Sequence, residues 1–181
     1  MNLPEAPLGR PLSHAGLRVC TRCIYDERVS AIRFDADGVC SYCHQIDDLK
    51  AQYSTGTPAG ERKLAAIIED IKREGAGKPY DCVIGVSGGT DSSYLVVLAK
   101  QWGLRPLAVH YDNTWNTAIS TQNIHKVLKA LDVDLYTHVV DNKEADDIFK
   151  SFFLAGVADI AASTDLALAE TTYRAASKYG I

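Results

Sequence analysis

Residues 80–94 read Tyr-Asp-Cys-Val-Ile-Gly-Val-Ser-Gly-Gly-Thr-Asp-Ser-Ser-Tyr, and they leave few folds open. The apolar run 82–86 has the length and composition of a buried strand. Residues 94–102, Tyr-Leu-Val-Val-Leu-Ala-Lys-Gln-Trp, predict a helix that Gly103 stops. A loop rich in glycine and serine, residues 87–93, therefore joins a strand to a helix N-terminus. The first N–H groups of a helix have no helical partners, and the dipole there is positive. An anion fits such a place. Gly88 and Gly89 let the backbone close on it, and the serines add hydroxyl donors. The Gly-Lys-Ser/Thr ending of a Walker loop is absent, and so is a GxGxxG dinucleotide pattern.

The same strand-then-helix rhythm continues. Residues 106–112 and 135–140 predict two more strands. Ile124, Val127, Leu128 and Leu131 mark an amphipathic helix between them, and Leu64, Ile67, Ile68 and Ile71 mark another before the first strand. Ile148, Phe149, Phe152 and Phe153 place a helix after the third strand. Residues 163–178 predict a final helix, with Ser163 or Thr164 available as its cap. Alternation of this kind predicts an α/β fold, a doubly wound parallel sheet whose ligands sit beyond the carboxyl ends of the strands. Residues 87–93 and 111–115 both follow strand ends, which puts them on one rim. Three strands and a closing helix at residue 181 predict that a C-terminal part of the fold is missing from this sequence.

Upstream, the cysteines set the organisation. Cys20-Thr-Arg-Cys23 is followed by sixteen residues and then Cys40-Ser-Tyr-Cys43. Two close pairs at this spacing can supply four thiolates to one tetrahedral zinc ion. An iron–sulfur cluster is the rival occupant. Residues 31–34 predict a short strand and residues 35–38 a turn back to Cys40, as in a zinc ribbon. With four cysteines available, His44 is expected to stand outside the metal. Ile46, Leu49 and Tyr53 share one face of a following helix. The expected divisions are a flexible tail over 1–17, a four-cysteine zinc module over 18–53, a linker over 54–60, and an α/β domain over 61–181. The fifth cysteine, Cys82, lies in the first strand and is expected to be an inert core thiol.

Composition limits the function classes. No apolar run approaches the ~20 residues of a membrane helix, and residues 1–16 lack the apolar core of a signal peptide. No membrane partner is expected, and the expected location is cytoplasmic. The formal net charge of −4 argues against a nucleic-acid partner. A homo-oligomer is left open.

The Ser87-Gly-Gly-x-Asp91-Ser92 loop resembles that of the PP-loop ATP pyrophosphatases, of the adenine nucleotide alpha-hydrolase-like group. From about Arg18 onward the chain is similar to one branch, the N-acetyl sugar amidotransferases of surface-polysaccharide synthesis. The stretches that carry this are the cysteine segment, residues 80–89, Tyr111-Asp-Asn-Thr-Trp-Asn116, Asn123-Ile124, residues 134–141 and Thr164-Asp165. Thr90 stands where the family usually has lysine, and Leu166 where it commonly has histidine. The resemblance implies a Rossmann-like PP-loop fold and an ATP-dependent enzyme forming AMP and pyrophosphate. It would adenylate the acetamido oxygen of a nucleotide-linked N-acetyl sugar and replace it with ammonia, in lipopolysaccharide or related glycan biosynthesis. A separate glutaminase subunit would supply the ammonia. A PP-loop enzyme of tRNA sulfur transfer, and a non-catalytic zinc-ribbon scaffold on a nucleotide fold, are the alternatives.

Carried over to these positions, the resemblance implies that Ser87, Gly88, Gly89, Thr90, Asp91, Ser92 and Ser93 bind ATP, with Ser87, Gly88, Gly89, Ser92 and Ser93 on its phosphates and Asp91 and Ser92 catalytic. Asp91 either holds Mg²⁺ or favours the helix N-terminus. Asp112 is a second metal ligand, a ribose contact or a strand-end turn, and Tyr111 flanks the adenine or packs. Trp115, Asn116 and Asp165 are candidates for the sugar side, although Asp165 could instead cap its helix. His110, His125 and His138 are expected to be structural. Zn²⁺ at Cys20, Cys23, Cys40 and Cys43 would be structural.

Overall fold

The computed structural model describes residues 16–157, 159 and 161–181. All but residues 16 and 17 of the expected tail lie outside the described residues. The chain divides into two compact units, Met1–Lys63 and Leu64–Ile181.

The first unit is short of conventional secondary structure. Among the described residues its strand pairing is limited to two isolated bridges, Val19 with Asp26 and Phe34 with Cys40. The strand expected over 31–34 is therefore reduced to one bridging residue, and Ala31 takes a left-handed φ of 58° that breaks an extended run. Helix α1 (Ser41–Tyr53) starts five residues before Ile46, the first residue of its apolar stripe. Ile46, Leu49 and Tyr53 are exposed on it. Among the described residues up to Lys63, Cys20, Asp26 and Cys40 are the buried ones. A unit with so little buried surface needs another source of stability.

Helix α2 (Pro58–Glu74) begins inside the stretch expected to be linker. Proline is favoured in a first helical turn, where its missing N–H is not needed, and this overrides its usual reading as a breaker.

The second unit is a three-stranded parallel sheet in the order β1 (Cys82–Gly85), β2 (Pro106–Asp112), β3 (Leu135–Val139). The register pairs Val83 with Leu107 and Val109 with Tyr136. Helices α3 (Thr90–Gln101) and α4 (Ala118–Leu131) are the two crossovers. They pack with Ile68 on one face of the sheet, through Val96, Ala99, Ile124 and Leu128 against Ile84 and Ala108. Beyond β3 come α5 (Asn142–Leu154) and α6 (Ala162–Tyr179). Ala175 of α6 packs on Leu107 and Val109, on the opposite face. The chain thus covers first one face and then the other. β2 lies between the two cores, and its first five residues are all buried, so alternation of polar and apolar residues is absent there.

Two helix starts differ from expectation. Helix α3 begins at Thr90, because Thr90, Asp91, Ser92 and Ser93 form its first turn behind the N-cap Gly89. Helix α6 is preceded by Ala161, which gives no side-chain cap, so neither Ser163 nor Thr164 serves as one.

One polar anchor has no signature in the sequence. The Asp81 carboxylate is nearly buried and accepts from the Arg105 backbone N–H at 2.9 Å and from its guanidinium. The same guanidinium donates to the Gly75 carbonyl at 2.8 Å and the Lys78 carbonyl at 2.6 Å. It thereby ties the end of α2 to the starts of β1 and β2. Burial opposes ionisation of Asp81, but the bonds from Arg105 outweigh it and hold the carboxyl below its usual range. Because the folded value is the lower one, the stabilisation is complete above about pH 4 and is lost as pH falls through the depressed value. Arg105 is half exposed, so water screens part of the pair. Asp81→Ala should still lower stability by about 2 kcal/mol, read as an earlier denaturant midpoint at neutral pH, and the difference should shrink in acid.

Candidate functional sites

The four cysteines of the first unit converge, with all four Sγ atoms within 4.8 Å of one another. Cys20 to Cys43 is 3.9 Å and Cys23 to Cys40 is 3.7 Å. A tetrahedral ion with bonds of about 2.3 Å to sulfur sets its ligands about 3.8 Å apart. The spacing fits one ion, such as zinc. An iron–sulfur cluster divides its four cysteines among two or four irons and spreads the ligands wider.

Local bonds prepare the thiolates. The backbone N–H groups of Arg22 and Cys40 donate to Cys20 Sγ at 3.4 and 3.2 Å. Burial works against the Cys20 thiolate, but N–H donors from Arg22, Cys40 and Cys23 bring its pKa down to about 6. Cys43 is pushed up to about 12, by burial first and then by hydrogen bonds with the other sulfurs. A cation replaces the proton that this crowding of sulfurs would otherwise retain. The second pair is built into a helix start, since the Cys43 and His44 N–H groups both donate to the Cys40 carbonyl. His44 is outside the cluster. Its Nε2 lies 2.7 Å from Asp35 Oδ2, while Asp35 Oδ1 accepts from the Asp37 and Val39 N–H groups and shapes the turn.

In the second unit, the loop 87–93 leaves the carboxyl end of β1 and opens α3. Gly88 is buried with φ of 78°. A Cβ on it would meet the Ser120 carbonyl oxygen at 2.2 Å, so the loop can rest on α4 only because this position is glycine. Asn123 holds it there by donating from Nδ2 to the Gly88 carbonyl at 3.3 Å. Ser92 Oγ lies 3.3 Å from both the Ser87 N–H and Ser87 Oγ, and Ser93 Oγ donates to the Gly89 carbonyl at 2.8 Å. Ser87, Gly89, Thr90 and Asp91 are exposed at the helix start. Asp91 sits in the first turn and is not the cap. This arrangement suits a phosphate group: donors and an open helix end, with a carboxylate beside them for a divalent cation.

The second loop on the rim follows β2. Asp112 Oδ1 accepts from the Thr114 N–H at 2.8 Å and from Asn116 Nδ2 at 2.9 Å. Asp112 thus shapes the strand-end turn through Oδ1, with Oδ2 left over. Thr117 caps α4 by accepting from the Ser120 N–H at 3.1 Å.

Tyr111 and Trp115 meet α5 and α6 around a cavity of about 70 Å³, walled also by Asn113, Phe149, Ser163 and Thr164. Trp115 lies against Phe149, with centroids 4.5 Å apart, yet remains 59% exposed. Tyr111 stacks on His138 at 6.2 Å. Burial, with Glu144 nearby, raises the Tyr111 pKa. The structure separates residues that sequence grouped together. Trp115 lines the cavity, whereas Asn116 turns to Asp112 and His110, and Asp165 is exposed and absent from the cavity wall. Phe149, Ser163 and Asn123 contribute without having been singled out as site residues. Asn123 acts through its side chain and Ser120 through its backbone carbonyl, so no residue pattern along α4 marks the contact. Cys82 is half-buried, and burial, aided by Asp81, pushes its thiol up to about 11, which suits an inert residue.

No protein-family model matches the chain. No curated protein matches it either. Among solved structures the chain is similar to NMN synthetase from Francisella tularensis, with a TM-score of 0.45 and 22% identity over 65% of this chain and 49% of that one. The chain thus spans about half the length of that structure. Among the described residues, no helix is long and apolar enough to cross a membrane.

Proposed function

We propose that this chain binds ATP on the loop 87–93 and uses it to adenylate the acetamido oxygen of a nucleotide-linked N-acetyl sugar. The observation that carries the reading is the loop itself. A Ser-Gly-Gly-Thr-Asp-Ser-Ser sequence leaves a parallel strand, opens a helix and is pressed onto α4 through a left-handed glycine. The resemblance of the surrounding motifs to N-acetyl sugar amidotransferases supplies the substrate class. In this reading the acetamido oxygen attacks the α-phosphorus and pyrophosphate leaves. Ammonia then adds to the activated carbon, AMP departs with the oxygen, and an acetamidine remains.

The residues would work mainly by position and charge. Ser87, Gly88, Gly89, Thr90, Ser92 and Ser93 would hold the phosphates. Asp91 would hold Mg²⁺, which neutralises charge on the departing pyrophosphate. Tyr111 and Trp115 would place the base and the sugar on the shared rim. The ammonia would come from a glutaminase partner, because free ammonia is scarce at neutral pH. Zinc on the four cysteines would have a structural role.

Calorimetric titration of the zinc-loaded chain with a non-hydrolysable ATP analogue and Mg²⁺ tests this reading. The wild-type chain should bind, and Asp91→Ala should weaken binding by at least about tenfold, the cost of one charge-assisted contact. Equal affinity in both proteins would remove Asp91 from the site, and no binding by the wild type would remove the ATP reading.

A further inference from the structure

His110 is 6% exposed, on the central strand between the two rim loops. Its Nδ1 lies 2.9 Å from the Val86 carbonyl oxygen, at the point where the phosphate loop begins. A carbonyl only accepts, so Nδ1 carries the hydrogen. Nε2 is 3.3 Å from Asn116 Nδ2, an amide nitrogen that only donates. Nε2 is therefore the bare nitrogen and accepts. The other hydrogen of the same amide goes to Asp112 Oδ1 at 2.9 Å. The Asp112 carboxylate also only accepts, so the orientation of the Asn116 amide is fixed from both sides. Asn116 thus donates both to Asp112 and to His110, and His110 donates in turn to the Val86 carbonyl at the root of the phosphate loop. The arrangement leaves Asn116 Oδ1 and Asp112 Oδ2 as acceptors with no protein partner among the described residues.

We propose that His110 is a positioning residue of the nucleotide site, which it serves by locking Asn116 and Asp112 so that their free oxygens receive hydroxyl or amino donors of the bound nucleotide. This rests on the reading of the loop as an ATP site. The imidazole does not touch the ligand. It sets the register between two loops that the sheet alone leaves independent, since each hangs from a different strand end. An inert core histidine would need one partner for each nitrogen. Here both partners belong to segments that flank the site, and the direction of every bond in the set is determined.

Two measurements test this in the full zinc-loaded chain. Long-range ¹H–¹⁵N correlation on ¹⁵N-histidine protein should show the His110 hydrogen on Nδ1, with Nε2 bare. An Nε2–H tautomer would overturn the proposal. Calorimetry with the Mg²⁺-bound ATP analogue should show about tenfold weaker binding for Asn116→Ala and for His110→Asn, which lacks the acceptor at the Nε2 position. The double variant should be no weaker than the worse single one, because both break the same set of bonds. His110→Gln, whose carbonyl reaches the Nε2 position, should retain most of the affinity. Asn116 is half-exposed, so Asn116→Ala keeps its fold if the buried substitutions do not. Unchanged affinity in Asn116→Ala, or losses that simply add, would overturn the proposal alone. No binding by the wild type would overturn the nucleotide site and the proposal together.

Discussion

If the four cysteines hold a metal ion, stripping it with a chelator, or replacing Cys40 by serine, should unfold the first unit and leave the second folded. The expectation follows from what that unit buries. Of its three buried residues among those described, Cys20 and Cys40 belong to the sulfur cluster and the third, Asp26, is paired with Arg28. Without the ion no apolar core remains to hold 16–63 together, and structural zinc sites contribute on the order of 10 kcal/mol to such folds. Cys40 is fully buried, its carbonyl starts α1, and its N–H bonds Cys20. The Cys40→Ser protein should therefore lose one equivalent of zinc by metal analysis. The circular-dichroism signal of α1 should fall, and the main thermal transition, that of Leu64–Ile181, should persist. Retention of metal by Cys40→Ser, or collapse of both units together, would contradict this account.

Gly88→Ala should be the most damaging single change in the second unit. The new Cβ would lie 2.2 Å from the Ser120 carbonyl oxygen, 2.7 Å from its carbon and 2.8 Å from Cα. All three are backbone atoms of α4 and cannot swing aside. The φ of 78° adds strain of its own. Together these should cost about 3 kcal/mol or lift the loop off α4, breaking the Asn123 bond and abolishing nucleotide binding. The neighbouring glycine supplies the control. At Gly89 φ is −79°, and an added Cβ would meet nothing closer than Ser87 Oγ at 3.4 Å. Gly89→Ala should cost less than about 1 kcal/mol, mostly through a poorer N-cap. Denaturant melts and analogue titration of the two proteins should differ sharply. If they behaved alike, the packing of the loop on α4 would not be what the site depends on.

The strands were legible because burial on both sides leaves an unbroken apolar run. β2 matches its expected limits, and β1 and β3 each end one residue early. Helix starts were less legible, because Thr, Asp and Ser serve equally in a loop and in a first turn, and only Gly89 taking the cap position decides between them. The cysteine spacing anticipated the convergence of four sulfurs. The links between distant positions were not legible. The Asp81–Arg105 anchor and the bond from His110 to the Val86 carbonyl depend on strand register, which places residues far apart in sequence side by side. The cavity around Tyr111 needs α6 to return across the sheet, and no local pattern encodes that return.

The second cysteine pair lies at the very beginning of α1, and this bears on how that helix comes to exist. The helix has thirteen residues and buries none of them. A free peptide of that length stays mostly unwound, because closing the first turn immobilises several residues for one hydrogen bond. An ion bound between Cys40 and Cys43 would clamp that same turn, so the costly nucleation step of the helix would be carried out by coordination. Each later residue then adds at little cost. Such an ion would decide when α1 appears during folding as well as whether it persists.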